Sequence, residues 1–540
     1  MQGQLRCTSV DTMTETSGTN QNTVTAIVGL AELSRQFYLI FLSMSMLALA
    51  AAFSTTSVTV SLVSIATHFN LTTTQAFWLG TSTALTATVV QPGCASFADI
   101  AGRRWALISS AAMLALGALL AAIAQNYATI VVGRSFQGVG VGGIFTITEI
   151  IITDLVPLRF RGIWFAFLSV FSAIGTCSGP ILSGVLTKTA SWRWIFAISV
   201  LVTVVAMVAC FITLPAIPRR GHTKALLQKL DYVGFLMLSG SLVCFLVPLM
   251  QAGVVYPWKH VYTLAPLTTS TLGFAVFVLF ELKYAKCPLV PLARFTNRTT
   301  VLAFMCACAH GLALWCLMYY VPLYYEFVKG FNTLKTGVAM LPVSLSIVLG
   351  ATAAGYLVSW TGKYRRMIWL GWTISAVGMG ILYLLDEHTS TVKWVGLSIP
   401  VGMGMGYLFG SLQFAIQAAV EPQELPLAVT LFMFWRSFGA SLGISIGGAI
   451  FSSALPDVSD PLLPRISSPS TDHATVSEKR SVMEIMLMSN NARLSSLRNI
   501  WLFCLILCFV MLLASFGIKS FSIDSAEIET EEKLTKDEAE

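Results

Sequence analysis

The chain has 540 residues, of which 55% are hydrophobic and only 11% are charged, and its formal net charge is +7. A soluble domain carries roughly a quarter charged residues, so this composition excludes a water-soluble protein and predicts an integral membrane protein. The basic residues are spread over many loops, which argues against a nucleic-acid-binding surface. The cysteines are scattered and most lie in apolar segments, without disulfide or metal-ligand spacing, so we expect neither a metal nor a cofactor.

Residues 1–36 are rich in Thr, Ser and Asn, which predicts a disordered cytoplasmic tail. From about Phe37, apolar runs of roughly 20 residues recur, and each is long enough to cross a hydrocarbon core of about 30 Å. The pattern predicts an all-α integral membrane protein with fourteen transmembrane helices. These spans lie near 38–65, 76–98, 105–125, 128–152, 163–186, 194–215, 232–252, 262–281, 300–325, 336–359, 367–386, 393–419, 425–453 and 499–520.

The loops that follow even-numbered spans hold most of the basic residues, among them Arg104 and Arg365. Because cytoplasmic loops carry an excess of Lys and Arg, we expect these loops and both termini to be cytoplasmic. The one long outer loop is then 455–497, and the chain ends in an acidic cytoplasmic tail, 521–540.

A glycosylation sequon, Asn70-Leu71-Thr72, lies in the first predicted outer loop, so Asn70 is a candidate glycosylation site. A second match begins at Asn297. The predicted topology places that asparagine in the cytoplasm, where we expect it to stay unmodified.

The fourteen spans divide as six, two and six. A polar turn with the sequence ASFADIAGRR, residues 95–104, follows span 2, and a weaker copy, GYLVSWTGKYRR at 355–366, follows span 10. Both turns join the second and third helices of a six-helix half, which indicates a duplicated transporter bundle. The predicted units are an N-terminal six-helix bundle at 37–215, a cytoplasmic loop at 216–230, two linking helices at 231–282, a second cytoplasmic loop at 283–299, and a C-terminal six-helix bundle at 300–520.

Ionisable side chains within a span are costly, so each is a functional candidate. Arg134 in span 4 could pair with a carboxylate during a transport cycle, or bond to backbone carbonyls. Glu149 is the best proton site in the sequence, with a hydrogen bond to a neighbouring helix as the alternative. For Asp154, which lies close to Arg159 and Arg161 of the following loop, a structural ion pair there is favoured over proton transport. His310 in span 9 could titrate near neutral pH, although a hydrogen-bonded core histidine is the simpler interpretation.

Four polar side chains are candidates for lining a central cavity. Gln137 lies in span 4, Gln413 and Gln417 lie one helical turn apart in span 12, and Arg436 lies in span 13 ahead of a stripe of glycines. For Arg436, helix packing and a functional role are both open.

Span 5 contains Gly175, Gly179, Pro180 and Gly184. Proline removes a backbone donor and kinks a helix, and glycines permit close helix packing. A kinked structural helix is sufficient to explain the pattern.

The sequence lacks a phosphate-binding loop of the G-x-x-x-x-G-K-[ST] type and zinc-type His/Cys spacing. No serine–histidine–carboxylate arrangement can be argued either. We therefore expect neither an enzyme nor an ATP-driven pump, which leaves an ion gradient as the energy source.

Together these residues resemble the major facilitator superfamily, and within it the fourteen-span drug:proton antiporter branch of fungi, over most of residues 37–520. Asp99, Gly102, Arg103 and Arg104 are similar to the family's loop between helices 2 and 3, which the resemblance implies is a latch for the outward-facing state. Ala95 replaces the usual first glycine of that motif.

Two further motifs carry the same resemblance. Arg134 with Gln137 and Gly138 is similar to the fourth-helix motif, which the resemblance links to proton transfer. The four residues of span 5 are similar to the fifth-helix motif that is typical of antiporters, with Ser183 where a glycine is common. The sequence differs in span 1, where Ser54 replaces an aspartate that the branch often carries. Since a hydroxyl does not titrate near neutral pH, Glu149 or another acid takes that role, or the coupling is altered.

The leading hypothesis is a monomeric, multi-pass plasma-membrane exporter of small, mostly apolar organic compounds such as drugs, toxins or fungal secondary metabolites. Proton antiport would drive alternating access of the two bundles. Its partners are the substrate, protons and the lipid bilayer. The alternatives are an uptake transporter for siderophores or nutrients, and a non-transporting membrane sensor on the same fold.

Overall fold

The computed structural model describes residues 35–71, 73–215, 231–252, 256–285, 288–290, 295, 297–453 and 476–521. The predicted tails at 1–36 and 521–540 lie almost wholly outside these residues, as does the loop at 216–230. The described residues form helices and no β-strand. Their α-helices are α1 Arg35–Thr56, α2 Val58–His68, α3 Thr73–Val90, α4 Cys94–Ala101, α5 Arg103–Ala122, α6 Tyr127–Leu155, α7 Arg161–Thr189, α8 Arg193–Thr213, α9 Tyr232–Gln251, α10 Val261–Lys283, α11 Arg298–Leu323, α12 Thr333–Ala339, α13 Leu341–Thr361, α14 Tyr364–Leu382, α15 Thr391–Gln417, α16 Leu425–Ser453 and α17 Val476–Ser515.

Twelve helices within the described residues are long and apolar enough to cross a membrane. Helices α3 and α14, which occupy predicted spans 2 and 11, are not among them. Helix α3 is rich in threonine, and α14 carries Arg365 and Arg366 in its first turn, so both are more polar than their neighbours. The all-helical membrane architecture is therefore confirmed, while the count of fourteen spans stays a prediction.

Three predicted elements have different boundaries in the structure. Span 1 is divided at Ser57 into α1 and α2, and span 2 is divided by a short 3₁₀ helix, Gln91–Gly93. Pro92 has no backbone N–H to donate, which explains the second break. Helix α17 begins at Val476, so its first turns occupy part of the segment 455–497 that we predicted as a loop.

The same helix pairs recur in the two halves of the chain. In the first half, α1 packs on α7 and α8, α3 packs on α6, and α5 packs on α6 and α8. In the second half, α11 packs on α16 and α17, α13 packs on α15, and α14 packs on α15 and α17. Each pairing in one half thus has its counterpart, in chain order, in the other.

The two halves meet where α7 packs on α13 and where α16 packs on α3 and α6. Helices α9 and α10 pair with each other, and α9 contacts both α3 and α16. The Phe245 ring of α9 stacks on Phe438 of α16 at 5.9 Å, while Phe235 covers Gly93 beside α3. The linking helices therefore lie against the seam between the halves.

Glycines set how closely several of these helices approach. At Gly439 of α16, a Cβ atom would overlap the backbone carbonyl of Cys308 in α11. Only a residue without a side chain fits this crossing, because the backbone atoms it meets cannot move aside as a flexible side chain would.

We expect Gly439→Ala to lower stability by about 1–3 kcal/mol, the usual cost of overpacking a tight contact. Gly396→Ala is the matched control, because a Cβ at Gly396 would meet no atom within 4 Å. Thermal unfolding of the two purified variants in detergent measures the difference. Equal melting temperatures would contradict the close packing of α11 on α16.

Asn70 lies in the turn after α2, with an exposed side chain and a left-handed backbone (φ 50°) that asparagine tolerates. Asn297 instead caps α11 by accepting a hydrogen bond from the Thr299 amide, and Thr299 is fully buried. We expect N-glycosylation at Asn70 and none at Asn297. Endoglycosidase should shift the electrophoretic mobility of the wild type and Asn297→Gln, but not of Asn70→Gln. A shift that persists in Asn70→Gln would contradict the predicted orientation.

Candidate functional site

The turn between α4 and α5 is built around Gly102 and Arg103. Gly102 has φ 84°, a conformation that disfavours any residue with a side chain. Arg103 then donates to Asp99 Oδ1 at 2.6 Å and to Asp154 Oδ2 at 2.9 Å. One guanidinium thus joins the end of α4 to the end of α6. Asp154 therefore forms a structural ion pair, but with Arg103 and not with Arg161, while the side chain of Arg159 lies outside the described part of the structure.

The next arginine binds a different helix. Arg104 donates to the Phe211 carbonyl at 2.7 Å and lies over the Phe211 ring at 4.4 Å, which ties α5 to the end of α8. In the second half, Gly362 has φ 67° and Arg365 donates to the Phe516 carbonyl at 3.1 Å, which ties α14 to the end of α17. The two turns therefore make equivalent contacts, and we call the end of the bundle where they lie the basic end.

The second turn does not reproduce the acidic part of the first. Ser359 stands where the first turn has Asp99, and its buried hydroxyl has no hydrogen-bond partner among the described residues. The carboxylate–arginine pair is therefore confined to the turn at 95–104.

Arg134 is buried in α6 and is bonded to oxygen atoms of the first two spans. It donates to the Leu79 carbonyl at 3.1 Å, to the Ser54 carbonyl at 3.0 Å and to Gln137 Oε1 at 2.8 Å. Arg134 thus contacts two backbone carbonyls in this structure, and no carboxylate of the described residues bonds to it. Gln137 is fully buried and orients Arg134.

The glycines of α7 lie against α1. A Cβ at Gly175 would overlap the Leu49 carbonyl, and one at Gly179 would overlap the Thr56 hydroxyl. Gly184 is buried further along the helix. Pro180, by contrast, faces Gly337 of α12, so the proline side of the motif meets the other half of the chain.

Glu149 forms a buried polar contact between the halves. Its side chain is buried near the end of α6 and accepts a hydrogen bond of 2.7 Å from Gln413 Nε2 of α15. Arg436 of α16 is close enough for a charge–charge interaction with Glu149 but does not bond to it directly. A carboxylic acid, its amide partner and a nearby guanidinium thus meet at the interface of the two halves.

A second polar link lies nearer the basic end. Arg161 donates to the Thr153 carbonyl at 2.8 Å, to the Val156 carbonyl at 2.7 Å and to Gln417 Oε1 of α15 at 3.1 Å. The sequence did not reveal this role for Arg161. The one sequence feature that could have indicated this role is the position of Arg161 at the start of a span, next to the end of α15.

Backbone contact accompanies this link. Gly162 of α7 and Gly355 of α13 approach so closely that a Cβ on either would collide with the other, and Phe414 packs on Gly162. The two halves are therefore in contact at the basic end.

His310 is fully buried in α11 and lies 3.1 Å from the Met405 carbonyl through Nε2. Since a carbonyl only accepts, Nε2 carries the proton in this tautomer. The geometry is that of a hydrogen-bonded core histidine. Within the described part of the chain, no group of three His, Cys, Asp or Glu residues is arranged to hold a metal ion.

We expect Asp99→Asn to reduce transport at least fivefold while expression is unchanged, because it removes the charge that holds Arg103. Ser359→Ala, at the matching position of the other turn, should leave transport within twofold of the wild type. Stability should change little, since an exposed ion pair contributes about 1 kcal/mol or less. Transport assays at equal surface expression compare the two variants, and equal effects would show that both turns are only spacers.

The arrangement matches that of known transporters. A family model described as Major Facilitator Superfamily matches residues 42–444. The chain is 37% identical over 502 residues to MFS transporter L2 of Phoma sp., covering 92% of this chain and 84% of that protein. It is 31% identical over 420 residues to the MFS-type efflux pump MMF1 of Mycosarcoma maydis, covering 77% of this chain and 68% of that protein.

Among solved structures, the human organic anion transporter MFSD10 (TETRAN) superposes with a TM-score of 0.55. Its sequence identity is 12%, and the match covers 88% of this chain and 100% of that one. This similarity concerns the fold alone. From the family match and the fungal relatives, the chain belongs to the major facilitator superfamily and is a multi-pass membrane transporter.

Proposed function

We propose that this transporter is a proton antiporter that exports small, mostly apolar organic compounds across the plasma membrane. The observation that carries the proposal is the buried hydrogen bond between Glu149 and Gln413. It places a titratable group on a contact that must break when the two halves separate. A proton that binds or leaves Glu149 would therefore act on the conformational equilibrium of the whole bundle.

The proposed architecture has fourteen spans, with α3 and α14 crossing the membrane in addition to the twelve apolar helices. The recurrent helix pairs support two six-helix bundles, with α9 and α10 as linking helices. The basic end would be cytoplasmic, because its turns carry the arginines. The contacts there would then close the transporter toward the cytoplasm and leave the opposite end as the side that opens.

The coupling step begins from this closed state. With Glu149 ionised, Gln413 donates to a carboxylate, and a hydrogen bond to a charged group is about twice as strong as a neutral one. Protonation from the outer side would weaken the bond and release α15 from α6. The basic end would open, and Glu149 would lose its proton to the cytoplasm as the substrate binds.

The other candidates would have supporting roles in this cycle. Arg134 is bonded to carbonyl groups and would fix the first two spans against α6. Asp154 would hold Arg103 in the latch with Asp99, and His310 would brace α11 against α15. Export, as the direction of transport, is supported by Pro180 and its glycines and by the name efflux pump that MMF1 carries.

We expect cells that express the protein to export Nile red, an uncharged apolar dye, and a protonophore to abolish that export. Glu149→Gln should lower the initial rate at least tenfold, because an amide keeps the hydrogen-bonding shape but cannot carry a proton. Fluorescence of preloaded cells measures the rate.

Glu281→Gln is the matched control. Glu281 is also buried, but it accepts hydrogen bonds from the Leu289 and Val290 amides beyond the end of α10, and glutamine keeps an acceptor oxygen for them. This variant should transport within twofold of the wild type. Undiminished export after the proton gradient collapses would disprove the coupling, and wild-type rates in Glu149→Gln would remove Glu149 from it.

A further inference from the structure

Arg436 is a half-buried cation that lacks strong hydrogen-bond acceptors. Its guanidinium lies 4.2 Å from the centre of the Phe409 ring and 5.8 Å from that of Phe432. One nitrogen donates to Met433 Sδ at 3.3 Å, which is a weak acceptor. The other terminal nitrogen, NH1, is buried and has no partner among the described residues. Most of the donor capacity of Arg436 is therefore unused.

Two arginines that are buried in the bundle differ in this respect. Arg134 and Arg161 each donate to three oxygen atoms, of which two are backbone carbonyls. A buried donor without an acceptor is unfavourable, because it has given up its hydrogen bonds to water without replacing them. Since the chain satisfies Arg134 and Arg161 internally, the open NH1 donor of the half-buried Arg436 indicates a partner that is not part of the protein.

The surroundings of Arg436 suggest the kind of molecule. His310 lies 6.2 Å from Phe409, ring centre to ring centre, and its Nδ1 has no partner; in the tautomer above, that nitrogen is an acceptor. Gln413, one turn from Phe409 on α15, has an unpartnered Oε1. The position thus offers an aromatic face, one strong donor and two acceptors, which suits a flat apolar molecule with a carbonyl and a hydroxyl group.

The charges around Arg436 further restrict which substrates can bind, and this step rests on the proposed antiport. The charged groups at this position are Arg436 and Glu149. An organic anion would bind Arg436 best when Glu149 is protonated, so anion and proton would bind together, as in symport. A cation would be repelled by Arg436. An uncharged oxygen acceptor accepts a hydrogen bond from the guanidinium but adds no charge. Its binding therefore neither requires a proton on Glu149 nor is opposed by Arg436.

We infer that Arg436 binds a carbonyl oxygen of an uncharged, largely planar substrate that stacks beside Phe409. The site is formed by α15 and α16 with His310 of α11. Glu149 and Gln413 border it, so an occupied site lies directly beside the contact that joins the two halves.

Binding of three pyrene probes to purified protein in detergent tests this inference. They are 1-pyrenebutyric acid methyl ester, which has an uncharged carbonyl, 1-butylpyrene, which has none, and 1-pyrenebutyrate, which is an anion. Energy transfer from tryptophan to pyrene reports binding, with empty micelles as the blank. We expect Arg436→Met to weaken binding of the ester at least tenfold and to leave butylpyrene unchanged.

The butylpyrene measurement also shows that each variant is folded. Arg436→Gln, which keeps an N–H donor without the charge, should retain ester binding within about threefold, and this variant decides the question if Arg436→Met fails to fold. Unchanged ester binding in Arg436→Met, or a large loss in Arg436→Gln with butylpyrene binding intact, would overturn the inference. Tighter binding of pyrenebutyrate than of the ester by the wild type would overturn the uncharged class.

These measurements use no proton gradient. Loss of proton coupling in the efflux assay would therefore disprove the antiport while leaving the Arg436 site intact. Conversely, if Arg436→Met binds the ester as tightly as the wild type does, the proposed Arg436 site is wrong, but the evidence for antiport is unaffected.

Discussion

A polar group in the hydrocarbon core has no water to bond, so it must find its partner within the protein. This constraint decides which side chains meet in the bundle. Arg134 donates to carbonyl groups of the first two spans. Arg161 donates to the Thr153 and Val156 carbonyls at the end of α6 and to the side chain of Gln417. Glu149 has its amide partner on the other half. The links from Glu149 and Arg161 both end on α15, whereas a weaker hydroxyl contact between Thr88 and Ser441 joins α3 to α16. In the proposed cycle, α15 would therefore have to be released from the first half.

The strength of these links suits a switch. A hydrogen bond to a charged group contributes about 1.5–3 kcal/mol, which is large enough to bias two conformations and small enough to be broken in each cycle. Protonation of Glu149 would remove the charge-assisted part of that energy, whereas the link from Arg161 would keep it. The bond at Glu149 is therefore the one whose strength a proton can set, and the close contact of Gly162 with Gly355 supplies a fixed, uncharged part of the interface.

Local features of this fold could be predicted from the sequence, and features that depend on distant partners could not. Apolar runs, the glycines of the two turns and the Asp99–Arg103 pair are separated by few residues, so pattern alone reveals them. Gln413 is separated from Glu149 by 264 residues, and no periodicity connects them. Arg103 was not recognised as the ion-pair partner of Asp154 for the same reason, since 51 residues separate the two and the sequence pointed to the nearer Arg159 and Arg161. Helix α17 was placed too late because its first turns are polar and resemble a loop.

Comparing the two halves separates the contacts that recur in both from the charged groups that occur in only one. Gly102 and Gly362 both have a positive φ, and Arg104 and Arg365 each bind a carbonyl at the end of the last helix of their own half, so these contacts hold both halves in a similar way. Each of these contacts lies within one half, α5 with α8 and α14 with the end of α17, so they do not fix how the two halves sit against each other. The two turns differ at one acidic position, which is Asp99 in the first half and Ser359 in the second. Glu149 and Arg436 lie on helices that are not counterparts in the repeat, the fourth of one half and the fifth of the other. Because they sit at the seam, their charges act on the relation between the halves, and the direction of the cycle would depend on them.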